Sequence, residues 1–101
     1  MEYRERNTSL TISNTTATQI SDDKTTYLDT IRHGITITNT SAAAVITIAI
    51  DNEAVSGSGI VLNPGGVWSD TEDSEYLPTQ ARITAISSVA GGTVAIQERL
   101  S

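Results

Sequence analysis

The sequence predicts an all-β fold: a single small antiparallel β-sandwich, jelly-roll or Ig-like, of about seven to eight short strands. Three observations lead there. About 16 Thr, 12 Ile and 6 Val make up roughly a third of the 101 residues, and these side chains suit a pleated, half-buried surface. Apolar residues recur with a period of two along several short runs. Turn-forming residues interrupt those runs about every 8–14 positions.

Taken in chain order, Leu10 and Ile12 alternate with Thr11 and Ser13, and Ile35 and Ile37 alternate with Thr36 and Thr38. After a loop at Asn39-Thr40-Ser41, Ile46, Ile48 and Ile50 alternate with Thr47 and Ala49. Asp51-Asn52-Glu53 stops that strand, and Gly57-Ser58-Gly59 precedes the next, Ile60-Val61-Leu62. Asn63-Pro64-Gly65-Gly66 has Pro then Gly, the order a type II turn prefers. Ile83 and Ala85 flank Thr84, and Ile86 breaks the parity, which predicts a bulge or a strand covered on both faces. Gly91-Gly92 stands in a hairpin-like position before Val94 and Ile96. Residues 1–8 differ in character, with Arg4, Glu5 and Arg6 alternating in sign. They divide the chain into an N-terminal arm (1–8) and a sandwich domain (9–101). The arm reads either as a frayed terminus or as a segment that orders against a neighbouring subunit.

Composition removes several function classes. Twelve acidic residues stand against six basic ones, for a net charge of -6, so the electrostatic footprint of a nucleic-acid binder is missing. Cysteine is absent, which rules out disulfides and thiolate metal sites. No apolar run approaches the ~20 residues of a membrane-spanning helix, and no N-terminal segment reads as a secretion signal. The expected partners therefore include neither nucleic acid nor membrane. With no Phe and 4% aromatics, the core must be built from Ile, Val, Leu and Ala. Such a core buries little area for its size, so an oligomer or docking surface is expected to supply further burial.

Candidate chemistry is sparse. His33 is the one histidine, with Asp29 near it in sequence, but no nucleophile motif accompanies it, and Arg32-His33-Gly34 reads as a strand entry. Asp70-Thr71-Glu72-Asp73-Ser74-Glu75 is dense in oxygen ligands yet lacks the central Gly and terminal Glu of a calcium loop, so it reads as a solvated loop. Trp68, after the Pro-Gly-Gly turn, could stack on a sugar or cap the small-residue core. Asn-x-Ser/Thr triplets at Asn7, Asn14 and Asn39 are what a Thr-rich chain yields by chance. The sequence therefore names no catalytic residue, no metal ligand and no cofactor, and the chain is not expected to be an enzyme. The candidate interface residues are Tyr3, Arg4, Arg6, Trp68 and Tyr76.

One larger pattern runs from Arg32 to Glu98, about two-thirds of the chain. It reads Arg32-x-x-Ile35-x-Ile37-x-Asn39-x-Ser41, Ile46-x-Ile48, Gly59-Ile60-x-Leu62-x-Pro64-Gly65-Gly66-x-Trp68, Ile83-x-Ala85-Ile86, and Gly91-x-Thr93-Val94-x-Ile96-x-Glu98. This skeleton resembles the small β-sandwich virion proteins of tailed bacteriophages, above all capsid decoration (cement) proteins. The first thirty residues match no named pattern. The resemblance implies a structural protein made in the host cytoplasm and carried on the capsid surface of the virion. It also implies that the major capsid protein is a partner and that copies form a homo-oligomer, a trimer in such proteins. The alternative is a phage tail or fibre module, or a lectin-like binding module, using Trp68 and the acidic run as its face.

Overall fold

The computed structural model describes residues 3–24 and 31–101. Its strands are β1 (Arg4–Ile12), β2 (Thr18–Ser21), β3 (Arg32–Asn39), β4 (Ile46–Ile50), β5 (Ile60–Leu62), β6 (Val67–Thr71), β7 (Ile83–Ser87) and β8 (Gly92–Leu100). They form two four-stranded sheets, ordered β1-β8-β3-β6 and β2-β7-β4-β5, with every pairing antiparallel. Among the described strands, only β4 and β5 are both consecutive and paired. All other connections cross from one sheet to the other, and this topology is the jelly roll rather than the Ig arrangement.

The alternation works as the sequence implies. Ile35 and Ile37 of β3, Val94 and Ile96 of β8, and Ile12 of β1 face Ile46 and Ile48 of β4, Ile83 and Ala85 of β7, and Ile20 of β2. All are nearly inaccessible to solvent. Thr36 and Thr38 take the opposite face of β3 and remain half-exposed. The type II turn forms: Gly66 N donates to Asn63 O at 2.7 Å, and Gly65 sits at φ 82°, a conformation open chiefly to glycine.

Two expectations need correction. Gly91-Gly92 does not make a hairpin, because β7 and β8 lie in opposite sheets and the chain crosses the sandwich there. Strand β1 begins at Arg4 and pairs with β8 without a break from Arg4↔Leu100 to Ile12↔Gly92, so the boundary placed after residue 8 falls inside a strand. Alternating charge there marks a solvated edge strand, which carries the same sequence signature as an arm. Strands β2 and β6 are short and polar, and no hydrophobic alternation marks them in the sequence.

Ile86 disturbs no register with β4, so there is no bulge there; β7 is covered on both faces. The β4–β5 loop folds back over the outer side of the second sheet. Thr84 Oγ1 donates to Asn52 O (2.7 Å) and accepts from Ala54 N (2.9 Å), while Gly57 N donates to Thr47 Oγ1 (3.0 Å). Thr47 and Thr84, outward by parity, are buried in consequence.

Candidate functional site

The skeleton residues at one end of the sandwich form a closed polar cluster. Arg32 is 0% exposed and Glu98 1%. Arg32 Nε donates to Glu98 Oε2 at 2.8 Å, Nη1 donates to Thr79 O (2.6 Å) and Ala81 O (3.0 Å), and Nη2 donates to Ser21 Oγ (2.7 Å) and Asp22 O (3.3 Å). Ser21 Oγ donates in turn to Glu98 Oε2 at 2.7 Å. A planar guanidinium with five donors is suited to join a carboxylate, a hydroxyl and three carbonyls at once. Its work is to tie the β7 entry and the β2 exit to the first sheet.

On the outer side of that sheet, the register shift between Arg32 and Gly34 turns His33 toward the neighbouring strand ends. His33 Nδ1 lies 2.6 Å from Glu72 Oε2 and Nε2 lies 2.9 Å from Ser101 Oγ. The Tyr3 ring packs against the imidazole, tilted by 46° with centroids 4.7 Å apart, and its hydroxyl donates to Glu72 Oε1 at 3.2 Å. The Arg99 guanidinium lies 5.4 Å from the Tyr3 ring and bonds to Glu5 at 2.7 Å. The hydrogen bond from His33 holds the Glu72 carboxyl below its ordinary range. Carboxylate, imidazole and hydroxyl are in the order used by hydrolytic triads. Here, however, Tyr3 lies on the imidazole, and the Ser101 backbone N–H is bound to Ile31 O at 3.1 Å. The cluster fastens the ends of all four strands of one sheet. Glu72 as partner of His33 is not visible in the sequence, 39 positions away; Asp29, the acid nearest in sequence, lies outside the described residues.

The five candidate interface residues fall on the two opposite edges of this same sheet. Tyr3, Arg4 and Arg6 belong to the β1 edge, and Trp68 and Tyr76 to the β6 side. Arg4 and Arg6 are exposed, and Arg6 reaches Glu98 Oε1 at 3.5 Å. Tyr76 is exposed, and its hydroxyl donates to Asp70 Oδ1 at 2.5 Å, which pushes the phenol above its ordinary range. Asp70 Oδ2 accepts from Thr79 N (3.0 Å), so Asp70 braces the turn that follows. Trp68 departs from the sugar-stacking reading. Opposite Ile37 in the register, it points inward and packs against the core, because parity along β6 gives the outer face to Val67, Ser69 and Thr71. Away from the His33 and Arg99 end, the middle of the outer face of the sheet is lined by uncharged side chains. Asn7, Ser9, Thr36, Thr38, Ala95 and Gln97 surround a shallow depression of about 290 Å³.

Among the described residues no group of three or more His, Asp or Glu side chains is arranged to hold a metal ion. The acidic run begins in β6 with Asp70 and Thr71 and continues into a tight turn, with Asp73 and Tyr76 exchanging backbone hydrogen bonds (3.0 and 3.2 Å).

No protein-family model and no curated protein matches this chain. Among solved structures, it is similar to a chain from Bacillus endospore appendages, a family of disulfide-linked pili. The TM-score is 0.67 at 16% identity, over 98% of this chain and 84% of that one. It also aligns with a de novo designed double-stranded β-helix (TM-score 0.43, 13% identity, 97% of this chain and 99% of that one). A chain of the cyanophage Pam1 capsid asymmetric unit aligns with a TM-score of 0.38 at 12% identity, over 98% of this chain and 82% of that one. The first likeness establishes a shared fold; the other two are too distant to build on.

Proposed function

We propose that this chain is a structural subunit of a phage particle: a decoration protein that sits on the outside of the head and ties neighbouring major capsid subunits together in many copies. The observation that carries this reading is the middle of the outer face of the β1-β8-β3-β6 sheet, an uncharged patch around Asn7, Ser9, Thr36, Thr38, Ala95 and Gln97, with the charged groups of that face paired as His33–Glu72 and Arg99–Glu5 at one end. Such a face can lie against another protein without stranding a charge, and weak contacts repeated over a lattice add up. The skeleton from Arg32 to Glu98 supports the same reading, and its terminal residues prove to be partners in the buried cluster. A lectin-like role loses support because the Trp68 ring is turned into the core.

A second reading, a filament subunit, draws on the fold shared with the endospore appendage chain. Disulfide linkage of the kind named for those pili needs cysteines, and this chain has none, so its copies would have to join non-covalently.

The deciding experiment is mass spectrometry of purified virions, followed by heat challenge of heads with and without the protein. The decoration reading expects the protein in virions and heads that burst at lower temperature when it is missing. Its absence from virions, or heads of unchanged resistance, would end that reading. Extended fibres of the purified chain seen by electron microscopy would favour the filament.

A further inference from the structure

We infer that copies of this chain join edge to edge, the β1 strand of one copy pairing antiparallel with the β6 strand of the next to continue one sheet across the boundary. The inference rests on the assembly reading only in naming a second copy as the occupant.

Among the described residues, the four edge strands of the two sheets are unequal. Strand β5 has three residues, and β2 has four with a register shift at Gln19/Ser21, both devices that discourage pairing. Strand β1 is nine residues long, free of proline and in unbroken register with its one neighbour. A long, regular edge of that kind is a template for another strand.

Backbone parity says which groups are on offer. Ser101 N to Ile31 O and Thr40 N to Thr93 O commit the odd-numbered residues of β8 to β3. The even-numbered ones then bond to β1, and their partners there are Arg6, Thr8 and Leu10. The N–H and C=O of Glu5, Asn7, Ser9 and Thr11 therefore face outward. On β6, Glu72 N to His33 O and Asn39 N to Gly66 O commit the even-numbered residues to β3. That leaves Val67, Ser69 and Thr71 to face their own open edge.

The two edges run in opposite senses, because strand direction alternates across β1-β8-β3-β6. Joining odd to odd also keeps the inner face with the inner face. Charge selects the register. With Glu5 opposite Thr71, Asn7 opposite Ser69 and Ser9 opposite Val67, Arg6 comes opposite Asp70, and Arg4 meets the acidic turn Glu72–Glu75. Arg4 has no ion-pair partner among the described residues, and Asp70 has no cation. Among the described residues, pairing β1 with β1 about a two-fold axis offers Arg4 and Arg6 only Glu5, which Arg99 and Gln97 already hold. The contact is heterologous, so it closes into a ring, a trimer among the options, or propagates as a filament.

Cysteine pairing tests this directly, because the chain has no cysteine of its own. The double variant Asn7→Cys/Ser69→Cys, oxidised at the concentration where the protein self-associates, is expected to give a ladder of covalent oligomers on a non-reducing gel. Each single variant is expected to stay monomeric. A dimer from Asn7→Cys alone would mean that β1 pairs with itself and would overturn the inference, as would a double variant that does not cross-link. Asn7→Pro is the second test. Its N–H points away from β8, so the fold loses no internal hydrogen bond, but the edge is blocked. The dissociation constant is expected to rise by about tenfold or more with the circular dichroism unchanged. Unchanged association would overturn the inference. A ladder from a protein that is missing from virions would sink the head reading and leave the edge pairing standing. A protein present in virions that gives no ladder would do the reverse.

Discussion

Arg32 and Glu98, 66 positions apart in the chain, form an ion pair of 2.8 Å that solvent does not reach, at the point where both sheets and two crossing segments meet. A charge removed from water this completely persists only if each of its donors is matched, and Arg32 has an acceptor for every nitrogen.

Glu98→Gln leaves the Arg32 cation buried without its counter-charge, and this is expected to cost about 3–5 kcal/mol, a large part of a total stability of about 5–15 kcal/mol. For a domain of this size the melting temperature falls by roughly 15 °C or more. The double variant Arg32→Met/Glu98→Leu is expected to recover little of the loss, because Thr79 O, Ala81 O and Asp22 O all lose their donor. Urea denaturation of the set measures it; a double variant as stable as the parent would show that the carbonyls do not depend on Arg32.

Acid is expected to loosen the outer cluster at His33. The Glu72 carboxyl is held below its ordinary value of 4.5 by the hydrogen bond from His33. A group depressed in the folded state contributes stability that is present above its unfolded value and lost as pH falls through the folded one. The melting temperature of the parent should therefore decline more steeply below about pH 4.5 than that of Glu72→Gln. Parallel curves for the two proteins would show that the pair contributes nothing.

Asn39 is the polar counterpart of this argument at the other end of β3. Its side-chain amide donates to Ala44 O and Leu62 O at 2.9 Å each, and its Oδ1 accepts from Ser41 N at 2.9 Å. Asn39→Ala strands three buried groups and is expected to cost about 2–4 kcal/mol. Asn39→Asp cannot donate and places a charge there, so it should be the worse at neutral pH and should improve on acidification. Denaturation midpoints at two pH values check both.

Gly59 separates two kinds of glycine requirement. At φ 139°, its added Cβ would lie 2.6 Å from Ile48 O, whereas Gly57, at φ 81°, faces open space. Gly59→Ala is expected to destabilise by about 2–3 kcal/mol, and Gly57→Ala by about 1 kcal/mol, from backbone strain alone. Equal losses, read from thermal melts, would mean that the close approach to Ile48 relaxes at no cost.

Local chemistry carried most of what the sequence disclosed. The Pro64-Gly65 order specified its turn, and isoleucine-threonine alternation separated inner from outer faces in β3, β4 and β8. Partnerships were hidden, because alternation assigns a side chain to a face and says nothing of which strand lies beside it. Arg32 and Glu98 were visible as pattern residues, but their pairing depends on β3 lying next to β8. The same limit concealed Glu72 from His33, and it left Trp68 undecided until β3 supplied a parity for β6. Of the candidate interface, the basic and acidic flanks could be read from charge; their placement on opposite edges of one sheet could not.

The register between β1 and β8 bears on how the molecule is born. A chain emerging from the ribosome exposes β1 long before β8, its neighbour in the sheet, exists, so that sheet cannot close until some eighty further residues have been made. Architectures dominated by such distant contacts acquire their native state slowly. Throughout that wait, alternating arginine and glutamate at positions 4–6 give the nascent strand a gatekeeper against premature clumping with its sister chains.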